Sequence, residues 1–303
     1  MQDYIAVVGG MNVDIGAKPE GRLIPGDSNP GRVTLRPGGV GRNIAHNLRL
    51  LGLDVRLVSA VGADEHGGLL LQSCAAHGID TSLCLRAEDE TSSTYLYITD
   101  ERGEMRLAVS DMAVTARITP EVLAQRLDAL NAARAVVLDA NLSEESLRYL
   151  AGHVTAPLYA DPVSTAKAPR LRHTLPKLAA LKPNALEAEA LTGEREPEKA
   201  VRALLELGVG RVFLSLGAEG MLAGEGERLL RLPCLPCRLV NTNGAGDAAM
   251  AAIVCAGIKD YELEKSLRLA LRAGAIATEC VEANNPALAE LADSGAGPSI
   301  ARP

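Results

Sequence analysis

The chain has 303 residues, of which 47% are hydrophobic and 23% charged, and its formal net charge is −7. This composition is typical of a globular protein, and the acidic balance argues against sequence-independent binding to nucleic acid, which needs a basic face. Its apolar runs are too short to span a bilayer, and the start MQD lacks the basic residues of a signal peptide. We therefore expect a cytoplasmic protein with no nucleic-acid or membrane partner.

Short apolar runs alternate with helical patterns along most of the chain. The runs predict buried strands at 4–8, 55–61, 135–139, 157–161 and 212–216. Patterns of helical period predict helices at 42–51, 69–77, 120–130, 185–191 and 198–207. Such alternation favours a mostly parallel sheet with helices on both faces, in which ligands bind at the carboxyl ends of the strands.

Two segments interrupt this alternation. Residues 11–37 are rich in Gly, Pro and Asn, and residues 92–108 indicate two strands joined by 100–104. One apolar face is predicted for four side chains, those of Tyr95, Tyr97, Met105 and Leu107. We expect the regions at about 11–37 and 91–111 to form a small separate β-sheet. An ordinary hairpin, a lid over an active site and a dimer surface all fit this pattern.

The pattern along the rest of the chain favours a single domain. We expect one domain over 1–303, with a flexible tail at 294–303, where the residues are small and polar. Cys234 and Cys237 form a lone CxxC, but a zinc site would need a second ligand pair, which the five histidines do not supply. The cysteines are best interpreted as ordinary structural residues.

The strongest chemical signal is the motif at 242–247, TNGAGD, which precedes an apolar run at 248–254. Glycines let backbone amides approach a phosphate, and a helix N-terminus adds unpaired N–H donors. Asp247 would lie beside that anion site, where a carboxylate can accept a proton from an attacking hydroxyl. The motif therefore indicates phosphoryl transfer to an alcohol. An ordinary helix start, with Asp247 facing the helix dipole, is the alternative.

Further motifs lie upstream. The segment 38–48, GGVGRNIAHNL, places Asn43 beside glycines, where its amide can meet paired hydroxyls. Asn12 and Asp14 follow the first predicted strand and can also hold vicinal hydroxyls, although both residue types cap turns. Asn184 and Glu187 lie one helical turn apart, a spacing that suits hydrated magnesium, phosphates or a simple capping box.

These motifs, with the glycine turn at 214–220, occur in the order found in the PfkB, or ribokinase-like, sugar and nucleoside kinases. The chain resembles that family over nearly its whole length. The resemblance implies a ribokinase-like three-layer α/β/α fold with a mostly parallel central sheet and a small β lid. It also implies ATP and Mg²⁺ as cofactors, and a homodimer formed through the lid.

The resemblance further implies a role for each motif. Asp247 would be the general base, and an anion hole would be formed by the amides of Gly244, Ala245 and Gly246. The ribose would be held by Asn12, Asp14, Gly39 and Asn43. The nucleotide side would comprise Asn184, Glu187, Ser215, Gly217, Gly220 and, near the adenine, Asn284. Glu187 would serve magnesium indirectly.

A narrower resemblance bears on the acceptor. Segments 27–31, 37–45, 161–167 and 284–286 are similar to the family members that phosphorylate pseudouridine. This similarity implies ATP-dependent phosphorylation of the 5′-hydroxyl of pseudouridine, with three further contacts, from Ser28 and Asn29 near the base and from Lys167 near the base or the phosphates. Ribose, another nucleoside or a hexose is the alternative acceptor. A sensor that binds a nucleoside without turnover is the alternative outside catalysis.

One position departs from the family. Many members carry an Asp where this chain has Asn241, and that Asp helps to bind a monovalent cation. Asn241 lacks the charge, so we do not expect strong potassium activation.

Overall fold

The structure is a computed structural model that describes residues 3–292. The tail predicted at 294–303 lies outside the described residues. Within 3–292, no helix is both long enough and apolar enough to cross a membrane.

The strands and helices follow one another in the alternation that the sequence predicts. The strands are β1 (Tyr4–Val8), β2 (Asn12–Pro19), β3 (Gly31–Gly38), β4 (Asp54–Val58), β5 (Ala60–Gly62), β6 (Leu85–Ala87), β7 (Thr94–Thr99), β8 (Met105–Asp111), β9 (Ala135–Asp139), β10 (Leu158–Asp161), β11 (Leu178–Leu181), β12 (Arg211–Ser215), β13 (Met221–Glu225) and β14 (Arg228–Leu232). The helices are α1 (Val40–Leu50), α2 (Glu65–Ala76), α3 (Pro120–Ala124), α4 (Leu127–Ala132), α5 (Glu144–His153), α6 (Ala185–Thr192), α7 (Pro197–Glu206), α8 (Ala245–Ile258) and α9 (Leu263–Thr278).

The main sheet has eight strands in the order β14-β13-β12-β11-β10-β9-β1-β4. In this order, each neighbouring pair from β12 through β11, β10, β9 and β1 to β4 is parallel. Strands β13 and β14 extend the sheet as an antiparallel edge. Alternate residues of β1 belong to different cores. Ile5 belongs to a hydrophobic cluster that includes residues of α1, α8 and α9, whereas Ala6 belongs to a second cluster that includes residues of α5 and α7. The predicted three-layer α/β/α fold is therefore confirmed.

Helix α8 is apolar on all sides, as its sequence from Ala248 to Ala256 requires. It contacts both α1 and α9 and is buried between them. A helix that is hydrophobic all round is stable only when it is covered all round. This packing holds the first turn of α8, which carries Asp247, in a fixed place at the edge of the sheet.

Three predicted elements differ from the structure by more than a small shift of their ends. The run at 55–61 is split at Ser59, because β4 pairs within the main sheet while β5 leaves it to pair with β6. The helix predicted at 120–130 is broken at Arg126, whose guanidinium bonds the carbonyls of Val122 and Leu83. Helix α2 begins earlier than predicted because Asp64 caps it by accepting from the Gly67 amide at 2.7 Å.

The second sheet has four strands in the order β3-β2-β7-β8, drawn from the two segments that interrupt the alternation. Its inner face carries Asp14, Tyr95 and Tyr97. Met105 lies on that face too, since the Tyr95 hydroxyl reaches its sulfur at 3.6 Å. The prediction of one apolar face is wrong for Leu107, which lies on the outer face opposite Ile98. A register shift between Ile98 and Thr99 separates it from Met105.

Candidate active site

The carboxyl ends of five neighbouring strands line one edge of the main sheet. From β12 to β1, these strands end at or beside Ser215, Lys182, Asp161, Asp139 and Gly9. In open parallel sheets this edge is where ligands bind. The polar and charged side chains collected here are therefore the candidate site.

The start of α8 lies at one end of the candidate site. Gly244 has a φ of 80°, and a Cβ there would lie 2.0 Å from the carbonyl oxygen of Ala283. Only glycine fits this position without displacing the neighbouring backbone. The amides of the first turn have no partner within the helix, so the turn formed by residues 244–246 presents N–H donors to the edge of the sheet.

Asp247 lies in that first turn and is half-buried. Its Oδ2 accepts a hydrogen bond of 3.0 Å from Nδ2 of Asn43. Burial, followed by the negative charge of Asp161, raises the pKa of Asp247 to about 7, while Asn43 and Lys182 act in the opposite direction. A carboxylate with a pKa near neutrality is suited to accept a proton during catalysis.

Lys182 is a site residue that the sequence analysis did not single out. Its ammonium lies 3.0 Å from Oδ2 of Asp161, with both side chains buried. Burial opposes the charge, but the carboxylates of Asp161 and Glu187 outweigh it and raise the pKa of Lys182. A Cβ at Gly246 would lie 3.2 Å from this ammonium. The charged form of Lys182 is therefore favoured, and it lies beside the turn formed by residues 244–246. The signal available in the sequence was a lysine at the end of a buried strand.

Residues from β2 and α1 meet beside this turn. Asn12 donates to Asp14 at 2.6 Å, and burial raises the pKa of Asp14. Gly39 has a φ of 95°, and a Cβ there would lie 2.5 Å from the Cα of Met11. The segment before α1 therefore lies close to the start of β2. This approach brings together the predicted ribose ligands Asn12, Asp14, Gly39 and Asn43.

Lys167 lies farther along the same edge. Its ammonium donates to Oδ1 of Asn141 at 2.6 Å, and Asp139 accepts from the Gly10 amide at 2.8 Å. Burial raises the pKa of Asp139 to about 6. Lys167 is thus beside the ends of β1 and β9, on the side where the chain enters the small sheet.

On the opposite side, Asn184 and Glu187 form a reciprocal capping box at the start of α6, with both hydrogen bonds at 2.9 Å. The capping box, which is the simpler explanation of their spacing, is therefore present. One oxygen of each side chain accepts a hydrogen bond in it. Among residues 3–292, no group of three or more His, Cys, Asp or Glu is arranged to hold a metal.

The turn after β12 contains the predicted nucleotide contacts. The Ser215 amide bonds the Pro183 carbonyl at 2.9 Å, which joins this turn to the start of α6. Gly217 has a φ of 59° with open space around it, and Gly220 has a φ of 95° and packs against the Leu232 carbonyl. Cys234 donates to the Gly217 carbonyl at 3.1 Å.

The remaining predicted residues are Ser28, Asn29 and Asn284. Ser28 is exposed, and Asn29 uses its amide to close its own loop through Ile24 and Asp27. Asn284, predicted near the adenine, directs its amide at α1 instead, because Arg42 and two asparagines of that helix supply its partners.

Asn241 also has a structural use. Its Nδ2 donates to the Val281 carbonyl at 3.0 Å, and its Oδ1 accepts from the Asn243 amide at 3.0 Å. A carboxylate at this position has no hydrogen to donate to that carbonyl. The amide thus closes the loop before α8 by a contact that Asp cannot make.

Residues 2–290 match the pfkB family carbohydrate kinase profile. The chain belongs to the PfkB family. This PfkB chain is 37% identical to pseudouridine kinase of Escherichia coli over 295 residues, covering 95% of this chain and 94% of that protein. It is 36% identical to the uncharacterized sugar kinase YeiI of the same organism, covering 95% and 81%. The ribokinase of Thermotoga maritima superposes with a TM-score of 0.85 at 25% identity, covering 96% and 99%. The protein is accordingly a phosphotransferase with an alcohol acceptor.

Proposed function

We propose that this PfkB kinase transfers the γ-phosphoryl group of ATP to the 5′-hydroxyl of pseudouridine. The observation that carries the reaction is Asp247, a carboxylate with a pKa of about 7 in the first turn of α8. The acceptor rests on the similarity to pseudouridine kinase and on the segments 27–31, 37–45, 161–167 and 284–286, which are similar to the members that phosphorylate this nucleoside.

In this proposal Asp247 takes the proton of the 5′-hydroxyl as the hydroxyl oxygen attacks the γ-phosphorus of ATP. The bond from that phosphorus to the bridging oxygen breaks, and ADP leaves. The amides of Gly244, Ala245 and Gly246 stabilise the charge on the transferred group, and the buried ammonium of Lys182 adds a fixed positive charge. Asn43 holds both the ribose and one oxygen of Asp247. The acceptor-binding helix thereby orients the base.

The remaining ribose contacts come from Asn12, Asp14 and Gly39. Their paired oxygens and amide suit vicinal hydroxyls, because each hydroxyl can both donate and accept. Lys167 is proposed to lie beside the pyrimidine, since its ammonium is at the β1 and β9 end of the edge. Ser28 and Asn29 would reach the pyrimidine by a movement of their exposed loop.

On the nucleotide side, Ser215, Gly217 and Gly220 line the proposed ATP site. The capping box leaves Oε1 of Glu187 for a water of hydrated magnesium, the kind of oxygen ligand this ion prefers. When bound, magnesium would neutralise charge on the phosphates. Because Asn284 faces α1, we assign the adenine surface to exposed apolar side chains near the loop before α8, those of Leu239, Val240 and Val281.

The small sheet is proposed to act both as a lid and as a dimer surface. Its inner face presents Asp14 to the site. Its outer face exposes a set of apolar side chains, Val33, Leu35, Leu107 and Val109. An apolar face of this kind is typical of an interface, and a second copy of the lid has the matching chemistry. Sedimentation of wild type and of Leu107→Lys tests this, with dissociation expected in the variant.

The acceptor is tested by measuring ATP consumption with pseudouridine, uridine, cytidine, adenosine, ribose and fructose in parallel. We expect pseudouridine to give the highest kcat/KM, with the phosphate located on the 5′-oxygen by NMR. The 36% identity to YeiI makes another sugar or nucleoside the specific alternative. If such an acceptor gives the highest kcat/KM, the proposed substrate is wrong but the proposed phosphoryl transfer stands. If a nucleoside binds but is not phosphorylated, the result favours a sensor.

A further inference from the structure

Residues 281–284 form a short segment, here called the hub, that contacts separate parts of the site. The Val281 carbonyl accepts from Nδ2 of Asn241 at 3.0 Å and from Arg36 of the lid strand β3 at 3.3 Å. The Ala283 carbonyl lies against the α-carbon of Gly244, where even a Cβ would be only 2.0 Å away. The hub therefore touches the lid, the loop before α8 and the backbone of the proposed anion hole.

Asn284 joins the hub to the acceptor-binding helix. Its Nδ2 donates to the backbone carbonyl of Asn43 at 3.0 Å and to Oδ1 of Asn47 at 2.9 Å. Its Oδ1 accepts from Arg42 at 3.1 Å. The side chain is buried, so these bonds have no competition from bulk water. One amide thus ties the hub to consecutive turns of α1.

Asn43 is consequently held from two directions. Its side chain bonds Asp247, and its backbone carbonyl bonds Asn284. The residue before Asn284 abuts Gly244, so a movement of Asn43 can reach the anion hole through a single hydrogen bond and one packed backbone contact. The path is short and contiguous, and it is separate from the direct contact between Asn43 and Asp247.

We propose that Asn284 is a positioning residue that couples occupation of the acceptor site to the arrangement of the anion hole. The proposal rests on the site roles proposed above. An acceptor that orders Asn43 also orders the hub through Asn284, and the hub fixes the backbone at Gly244 where the phosphates of ATP bind. The acceptor then raises the affinity for the nucleotide, and the nucleotide raises the affinity for the acceptor by the same factor.

Calorimetry with a non-hydrolysable ATP analogue tests this, using the best acceptor from the substrate panel. In wild type we expect the acceptor to tighten analogue binding by about fivefold or more. In Asn284→Ala the analogue alone should bind within about twofold of wild type, the acceptor effect should disappear, and kcat should fall by about tenfold or more through misalignment.

The matched control is the adjacent Asn285→Ala. Asn285 bonds the Ile276 carbonyl at 2.6 Å and the Ala287 amide at 3.0 Å, so its contacts are with α9 and its own turn rather than with α1. It should lose stability but keep the coupling. If Asn284→Ala does not fold, Asn284→Asp keeps the acceptor for Arg42 and removes both donors, and it should also lose the coupling.

Three results would overturn the proposal. The first is absence of coupling in wild type, and the second is equal loss of coupling in Asn285→Ala, which indicates a purely structural effect. The third is weakening of the analogue alone by about tenfold in Asn284→Ala, which indicates the adenine contact predicted from the sequence. If any of these results is found and the enzyme still phosphorylates an acceptor, only the coupling through Asn284 is contradicted. If the enzyme phosphorylates no acceptor, the proposed function and the coupling are both contradicted.

Discussion

Asn43 on α1 donates a hydrogen bond of 3.0 Å to Oδ2 of Asp247 on α8, across 204 positions of sequence. This contact satisfies one carboxylate oxygen with a neutral donor. Within residues 3–292, the other oxygen, Oδ1, accepts no hydrogen bond, and in the proposed mechanism it is the oxygen that takes the proton of the acceptor hydroxyl. The proposed ribose ligand thus also sets the orientation of the proposed base, and the predictions below depend on this link.

Asp247→Asn should abolish most phosphoryl transfer while leaving nucleoside binding largely intact. The amide keeps the shape of the side chain but cannot accept the hydroxyl proton. Loss of a general base typically lowers kcat by about two to four orders of magnitude. Steady-state kinetics and nucleoside calorimetry measure the two effects. Asp128→Asn, in the first turn of α4, is the control for a carboxylate that only faces a helix N-terminus. Near wild-type turnover in Asp247→Asn would remove Asp247 from the mechanism.

The rate should depend on pH through Asp247. Its pKa is about 7, raised by burial and then by the charge of Asp161, and the base must be ionised to act. We therefore expect kcat/KM to fall as the pH drops below about 7 and to level off above it. Asp161→Asn removes a charge that raises this pKa, so the profile should move to lower pH. A shift to higher pH, in a variant shown to be folded, would contradict this assignment.

Asn43→Ala should weaken nucleoside binding more than ATP binding. A lost polar contact in a buried site costs on the order of 1–3 kcal/mol. The variant also removes a hydrogen bond that lowers the pKa of Asp247, so its pH profile should move upward. Calorimetry with each ligand and a pH series of kcat/KM check both parts. Equal losses for the two ligands would argue against a ribose role.

Potassium should activate this enzyme only weakly. Asn241 has no charge, and its amide is already bonded to the Val281 carbonyl and the Asn243 amide. A hard cation prefers anionic oxygen ligands, which this side chain does not supply. Activity is measured in potassium and in sodium, with Asn241→Asp as the comparison, and the variant should respond more strongly to potassium. Strong, saturable activation of wild type would show that other ligands compensate.

The sequence predicts much of the parallel part of the main sheet, because these strands are buried on both faces, but it does not predict the antiparallel edge formed by β13 and β14. β1 and β9 are continuous apolar runs, and their bounds match the prediction. The small sheet is harder, since its strands pair across long separations. The opposite facing of Met105 and Leu107 depends on a register shift in β8, which alternation of apolar residues cannot reveal.

The candidate site is predictable where one short motif carries the geometry, as at residues 244–247. It is less predictable where distant strands end side by side. Asp161 and Lys182 become partners only because β10 and β11 are neighbours in the sheet. Asn284 is the reverse case, since its motif is visible in the sequence but its direction depends on how the hub packs against α1.

The most direct test of the central claim is the ratio of kcat/KM for pseudouridine to that for uridine. The two nucleosides differ in their glycosidic link, and pseudouridine carries an additional ring N–H. A site that hydrogen-bonds such a group rejects the analogue lacking it far better than an apolar pocket can. We predict that this ratio is well above one and that it falls toward one when Ser28 and Asn29 are replaced by Ala. A higher kcat/KM for uridine would contradict the proposed acceptor.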